Sequence, residues 1–437
     1  MEHDFVEQFK SWARRIQRTN PCRRTGRLEA AIGSTLLATL PGACIGERVL
    51  IGPENLPADV SGFKKNKVVL SPDCCGKELS EGLEVRGTGC AFRYPWSSGL
   101  LGRVLDAKGN ALDGISLPKP SHNIPIDFLP PSPLDRKPIQ QPLITGIKAL
   151  DGFNTIGCGQ RIGLFARPGM GKSTLLGQIA KNTKADCTVL ALVGERGREL
   201  HEFIHRDLGK VGLQHSVVVC ATSDAPAAER ARALPVATTI AEGFRRQGHS
   251  VLLLVDSLTR HARALREIAL ASGESPGHRG FPPSVYDQLA QVIERAGNSR
   301  IGSISAIYTV LTENDPDDDP LAQEIEGLLD GHIILVPELA EAGCFPAIDP
   351  AASLSRLMDQ MVTPEHRESA RTVRRLWSAY QQRRDLIAAG AYEPGSEPIT
   401  DQAINKMPKI VDFIRQAANE VSSFDETVEK LLQLANE

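Results

Sequence analysis

The sequence predicts three successive parts: an N-terminal β-barrel, a central α/β domain on a mostly parallel sheet, and a C-terminal α-helical domain. Three observations carry this. Short β-rich pieces alternate with Gly, Pro and Asp from Arg27 to about Arg93; nearly continuous apolar runs alternate with helical stretches from about Leu143 to Pro337; helical spacing takes over after Pro350. A chain of 437 residues is too long for one compact core, so several domains are expected.

In chain order, Phe5, Phe9, Trp12, Ala13 and Ile16 fall on one face of a helix that Pro21 ends. The stripe over residues 1–20 either packs on the protein's own body or forms a docking helix. Pieces such as "ACIGERVLI" and "NKVVL" place the barrel at residues 21–93. Eight prolines between Leu117 and Pro142 exclude helix and disfavour a central strand, so residues 117–142 read as an extended connector. The runs "RIGLFA", "CTVLALV", "SVVVCA", "SVLLLVD" and "SISAIYTVL" have the composition of strands buried on both faces, which sets the α/β domain at 94–345. "RTVRRLWSAYQQRRDLIAAG" and "AINKMPKIVDFIRQAANEV" then place a helical domain at 346–437.

Composition narrows the function. Lys plus Arg is 50 and Asp plus Glu is 53, a net charge of -3 with no global pull toward nucleic acid or anionic lipid. Nine cysteines without C-x-x-C spacing suggest neither a zinc site nor a disulfide framework. "MEHDFVEQFK" has acids where a signal peptide needs bases, and no apolar run approaches the ~20 residues of a membrane span. The expectation is a cytosolic protein; if it acts at a membrane, it does so by docking.

The chemistry starts at "ARPGMGKST", Ala166, Arg167, Pro168, Gly169, Met170, Gly171, Lys172, Ser173 and Thr174. It follows a strand and opens a helix, the setting of a phosphate-binding loop G-x-x-x-x-G-K-[ST]. Backbone N–H groups of the later residues and the helix N-terminus hold the anion. Gly169 and Gly171 stand where the backbone turns around phosphate. Pro168 lacks an N–H but precedes the donating stretch, and Ala166 sits at the strand end. Lys172 reaches the β- and γ-phosphates, and Ser173 offers its hydroxyl to Mg²⁺. Asp256 ends an apolar strand, either to orient the Mg²⁺ shell or as a helix cap. Glu195, in "LVGERGREL", is either a general base for the attacking water or a surface acid at a helix start; Glu199, one turn on, holds the same water or metal shell in the first case.

"GERGRE", "DSLTRHARALREIALASGE", "GFPPSVYDQLAQVIERAG" and "FPAIDPAASLSR" together resemble the ATPases of type III secretion and flagellar export, relatives of the F- and V-type rotary ATPase α/β subunits. The resemblance runs from "GRLEAAIGSTLLATLPGACIGE" to the C-terminal helices and includes the signature-like "PAIDPAASLS". It implies a RecA-like P-loop ATPase as the central domain and a homohexameric ring with ATP and Mg²⁺ between subunits. Glu195 matches the catalytic glutamate, Arg356 the arginine finger reaching a neighbour's site, and Phe345 the aromatic residue near adenine. Arg196 and Arg260 match positions around the phosphates. The implied partners are a stator-like regulator at the N-terminal helix, export-gate and central-stalk proteins, and chaperone–substrate complexes, with peripheral docking at the inner membrane. A rotary F/V-type subunit shares this site, but "DSLTRHARALREIALASGE" and "SFDETVEKLLQL" fit the export ATPases better. A RecA-like RNA translocase lacks support, because no aromatic-plus-basic platform for single strands precedes the core. Arg167 and Pro168 depart from the small residues frequent in the family. The acidic loop 315–319 lacks calcium-loop spacing and reads as solvated.

Overall fold

The computed structural model describes residues 24–73, 79–126, 129–277, 280–312 and 319–436, together with Trp12. The rest of the N-terminal stripe and all of the acidic loop except Asp319 lie outside the described residues. Strands β1 (Thr25–Ile32), β2 (Thr35–Thr39), β3 (Glu47–Ile51), β4 (Leu56–Lys64), β5 (Lys67–Pro72) and β6 (Glu84–Ala91) close a barrel in the order β1-β2-β5-β4-β3-β6. Alternate residues point inward, so Leu28, Val49, Ile51, Val60, Leu70 and Val85 fill one core.

Among its described residues the connector contributes β9 (His122–Pro125), paired with β7 (Arg93–Trp96), and the start of β10 (Pro142–Leu143), paired with β11 (Ile156–Gly157). It departs from the expected absence of helix by one 3₁₀ turn, Pro133–Asp135, which a proline opens at the position where no backbone N–H is needed. Between β7 and β9, β8 (Val104–Asp106) joins one edge of the central sheet.

That sheet comprises β12 (Arg161–Ala166), β13 (Cys187–Glu195), β14 (Ser216–Thr222), β15 (Ser250–Asp256), β16 (Gly297–Asn298), β17 (Ser303–Leu311), β18 (Gly331–Ile334) and β19 (Leu354–Ser355), with β8. Its order is β19-β18-β12-β17-β15-β13-β14-β8, with β16 paired to β17. All pairings are parallel except those of β16 and β19. Both faces are buried. Val189, Ala191 and Val193 enter one core with the helices Ala227–Arg246 and Leu258–Ala271; Leu190 and Leu192 enter the other with the helix Lys172–Asn182 and the C-terminal helices. This two-sided cover is why the strand segments read as unbroken apolar runs.

The central sheet extends past the expected boundary at 345, because β19 pairs antiparallel with β18 at Gly331↔Ser355 and His332↔Leu354. A two-residue strand leaves no periodicity to read. Helices Pro364–Ala388, Pro398–Ile414 and Phe424–Asn436 follow, packing Val373, Leu376, Trp377, Phe413 and Leu431 into the second core.

The barrel is bolted to the central domain. Arg232, on the helix Ala227–Arg246, is buried and pairs with Asp59 and, at 2.6 Å, with Asp73 of the barrel side. Arg48 pairs with the same two carboxylates, and the Phe92 ring lies under both guanidinium groups at 4.9 and 5.3 Å. Removing one partner of a buried ion network costs about 3–5 kcal/mol. Arg232→Met is therefore expected to lower the melting temperature and bring an early unfolding step of the barrel; an unchanged melting curve would contradict the clamp.

Candidate active site

The site lies at the carboxyl ends of β12, β13 and β15, where an open α/β sheet offers a crevice. After Ala166, the last residue of β12, the chain passes through Arg167 and Pro168, both exposed, and then Gly169 at φ +87° and Gly171 at φ +76°. A Cβ on Gly171 would also stand 3.2 Å from the Phe345 ring. Met170 is buried under the loop and anchors it to the core. The helix Lys172–Asn182 begins with no side-chain cap on Gly171, so its first N–H groups remain available to an anion. Thr174 is half-buried in its first turn.

Lys172 Nζ donates to Asp256 Oδ1 and stands 3.9 Å from Glu195 Oε1. The same Asp256 oxygen also accepts from the Thr309 hydroxyl at 2.9 Å. Glu195 is buried and paired with Arg260 Nη1 at 2.5 Å. That guanidinium also donates to the Gly194 carbonyl at 2.7 Å. The pairing of β13 with β14 slips between Val193 and Glu195, and Gly194 absorbs the irregularity at φ +69°. Such a bulge re-aims the next side chain, here the glutamate.

Burial pushes the Glu195 carboxyl above its ordinary value, and the charge of Asp256 pushes the same way; the Arg260 hydrogen bond and the Lys172 charge pull it back only in part. A carboxylate with raised proton affinity, held at a helix-bounded crevice, is suited to accept a proton from water. The neighbouring Glu199 carboxyl adds to the upward shift. Its ion-pair partner is Arg196 at 3.3 Å.

The structure therefore brings Lys172, Glu195, Asp256, Glu199 and Arg260 together. Ser173 adjoins them with an exposed hydroxyl that has no partner among the described residues. Mg²⁺ fits this donor set: one free hydroxyl and one carboxylate held by a threonine, all oxygen. Arg196 is not brought in. Its side chain is 79% exposed and turns outward to Glu199. Arg356 is not brought in either. Its N–H bonds the Asp330 carbonyl, and Asp330 is level with Arg161, the first residue of β12. The phosphate loop follows the last residue of that strand, about 16 Å away at ~3.3 Å per residue.

Phe345 is half-exposed and precedes a cis bond to Pro346. It lines a pocket of about 750 Å³ with Gly171, Thr174, Gln178, Arg415 and Gln416. Sequence reasoning missed Thr309, Gln178, Arg415 and Gln416. Thr309 carried one usable signal, a hydroxyl inside the apolar run of β17.

The nucleotide-binding domain model of the ATP synthase alpha/beta family matches residues 146–355, and the T3SS EscN ATPase C-terminal domain matches 362–433. The type 3 secretion system ATPase of Sinorhizobium fredii is 46% identical over 92% of this chain and 90% of its own length. The flagellum-specific ATP synthase of Bacillus subtilis is 42% identical over 96% of this chain and 97% of its own. Assembled EscN, the ATPase of the type III secretion system of enteropathogenic E. coli, matches with TM-score 0.90 at 43% identity, over 94% of this chain and all of that one. EscN with its central stalk EscO matches with TM-score 0.86 at 42% identity and the same coverage. Near-complete coverage at these identities means that the chain belongs to the family of type III secretion ATPases and flagellum-specific ATP synthases, within the wider ATP synthase α/β family.

Proposed function

We propose that this chain hydrolyses ATP with Mg²⁺ in a ring of six copies, and that the cycle drives protein export through a type III secretion or flagellar apparatus. The observation that carries the shared-site part is the distance between Arg356 and the Lys172–Glu195–Asp256 cluster of the same chain. The Arg356 backbone is held at the opposite end of β12 from the phosphate loop of its own chain, which favours service to a neighbour's loop. Directly after the edge strand β19 it is exposed and available to a neighbour.

The residues divide the work as follows. The N–H groups opening the helix Lys172–Asn182 and the loop backbone at Gly169 and Gly171 hold the phosphates. Lys172 exchanges its carboxylate partner for phosphate oxygens. Ser173 and Asp256 would hold Mg²⁺, which when bound neutralises charge on those oxygens. Glu195 orients the attacking water and accepts its proton, with Arg260 fixing the carboxylate. Arg356 of the neighbouring copy answers the negative charge that develops on the transferred phosphoryl group. Phe345 flanks the base.

EscN is assembled in its solved state and binds a central stalk. By family membership we extend assembly and a stalk partner to this chain. Chaperone–substrate complexes, export-gate proteins and a stator-like regulator at residues 1–20 belong to the same reading, as does a cytoplasmic location peripheral to the inner membrane. No helix among the described residues is long and apolar enough to cross a membrane, so the reading requires docking. The match of residues 362–433 to the EscN C-terminal domain favours export over the rotary-subunit alternative.

Turnover per chain is expected to climb steeply with protein concentration, and Arg356→Ala to lower turnover by ~10³-fold while leaving nucleotide binding by single chains intact. A rate per chain independent of dilution, or an active Arg356→Ala ring, would refute the shared site. Turnover is also expected to fall in acid as Glu195 takes up a proton. Because its affinity for that proton is raised, the fall begins at a higher pH than for an ordinary carboxylate. Glu195→Gln should reduce turnover at every pH and remove this acid limb; a variant retaining both would transfer the base role elsewhere.

A further inference from the structure

His201 and His205, with Glu202 after the first, spell H-E-x-x-H. The fold sets both rings on one exposed surface. The helix Gly197–Glu202 runs directly into a π-helical turn, Phe203–Leu208, so the pair straddles the junction. The wider π turn brings residues four apart closer to a single line than an α-helix does. The ring centroids are 4.2 Å apart at an interplanar angle of 44°. Phe203, Ile204 and Leu208 are buried in the core beneath, which fixes the backbone that carries the two rings. Both histidines are exposed, and neither makes a hydrogen bond or ion pair among the described residues.

We infer that His201 and His205 chelate a divalent transition-metal ion of the Zn²⁺ or Ni²⁺ class, at a site separate from that of the nucleotide. Imidazole nitrogens bind such ions at ~2.0–2.1 Å, and two rings this close on successive turns can reach one ion through small side-chain rotations. The local field permits it. From Glu195 to Asp207 the carboxylates are Glu195, Glu199, Glu202 and Asp207, and the guanidinium groups are Arg196, Arg198 and Arg206; four against three leaves a net charge of -1. The site is a clip and not a hydrolytic centre. Glu202 is held by Arg198 at 2.9 Å, and no cluster of three or more potential metal-ligating side chains occurs among the described residues. Water fills the remaining coordination positions. The bound ion closes a covalent-like ring across the α/π junction, and the same segment carries Glu199 on its first turn.

The test uses the full chain without nucleotide, titrated calorimetrically with NiCl₂, with melting temperature as a second readout. One Ni²⁺ per chain is expected, with a melting temperature that rises as Ni²⁺ is added. His201→Ala and His205→Ala should each weaken binding by about tenfold or more and remove the Ni²⁺-dependent rise. Both positions are exposed, so the metal-free melting temperature should stay where it is. Absence of binding in the unsubstituted chain, or Ni²⁺ binding that survives both substitutions together, overturns the assignment.

Discussion

One ammonium group held between two buried carboxylates sets the terms for the catalytic half of this protein. At the end of the open sheet, Asp256 accepts from Lys172 and Glu195 lies 3.9 Å from the same ammonium group. Two carboxylates so near one another would repel, and a lone lysine there would be desolvated without compensation. Thr309 and Arg260 complete the balance, each fixing one carboxylate from outside the trio. Glu195, Asp256 and Thr309 come from the carboxyl ends of strands, and Lys172 and Arg260 from the first turns of the helices that follow β12 and β15. The parallel order of the sheet is thus what assembles the charges.

The surrounding architecture keeps that end of the sheet rigid and its crevice open. The two apolar cores clamp the strands from both faces, and the Arg232 network ties the barrel to the same body. The phosphate loop is the exception to this cover. Arg167, Pro168 and Gly169 are all exposed, while Met170 alone is driven inward. A loop with one apolar anchor and two left-handed glycines can present its N–H groups without a packed roof.

Much of this was legible in the chain itself. The apolar runs of β12, β15 and β17 have the same limits in the structure, and the helix after the phosphate loop starts at Lys172. Strong periodicity and glycine spacing carry such information because they reflect burial and backbone conformation directly. Signals that depend on distant partners were weaker. Thr309 sits unremarked in an apolar run until the β15/β17 register sets it beside Asp256. β19 is too short to have a pattern, so the end of the central sheet could not be located. The family resemblance set Arg196 and Arg260 alike around the phosphates, and only tertiary packing separates the exposed one from the one that holds Glu195. The π turn at Phe203–Leu208 has no marker in composition at all.

Gln416 sits just beyond the helix Pro398–Ile414. Its side chain accepts from the Lys148 N–H at 2.8 Å and donates to the Gly146 carbonyl at 2.7 Å, while its own N–H donates to the Phe345 carbonyl at 2.8 Å. One amide residue therefore staples the helical domain to the wall of the pocket that Phe345 lines. Any shift of that aromatic wall must be transmitted to the root of the last helices or break the staple. The C-terminal domain is thereby geared to the crevice, as a pointer is to its spring.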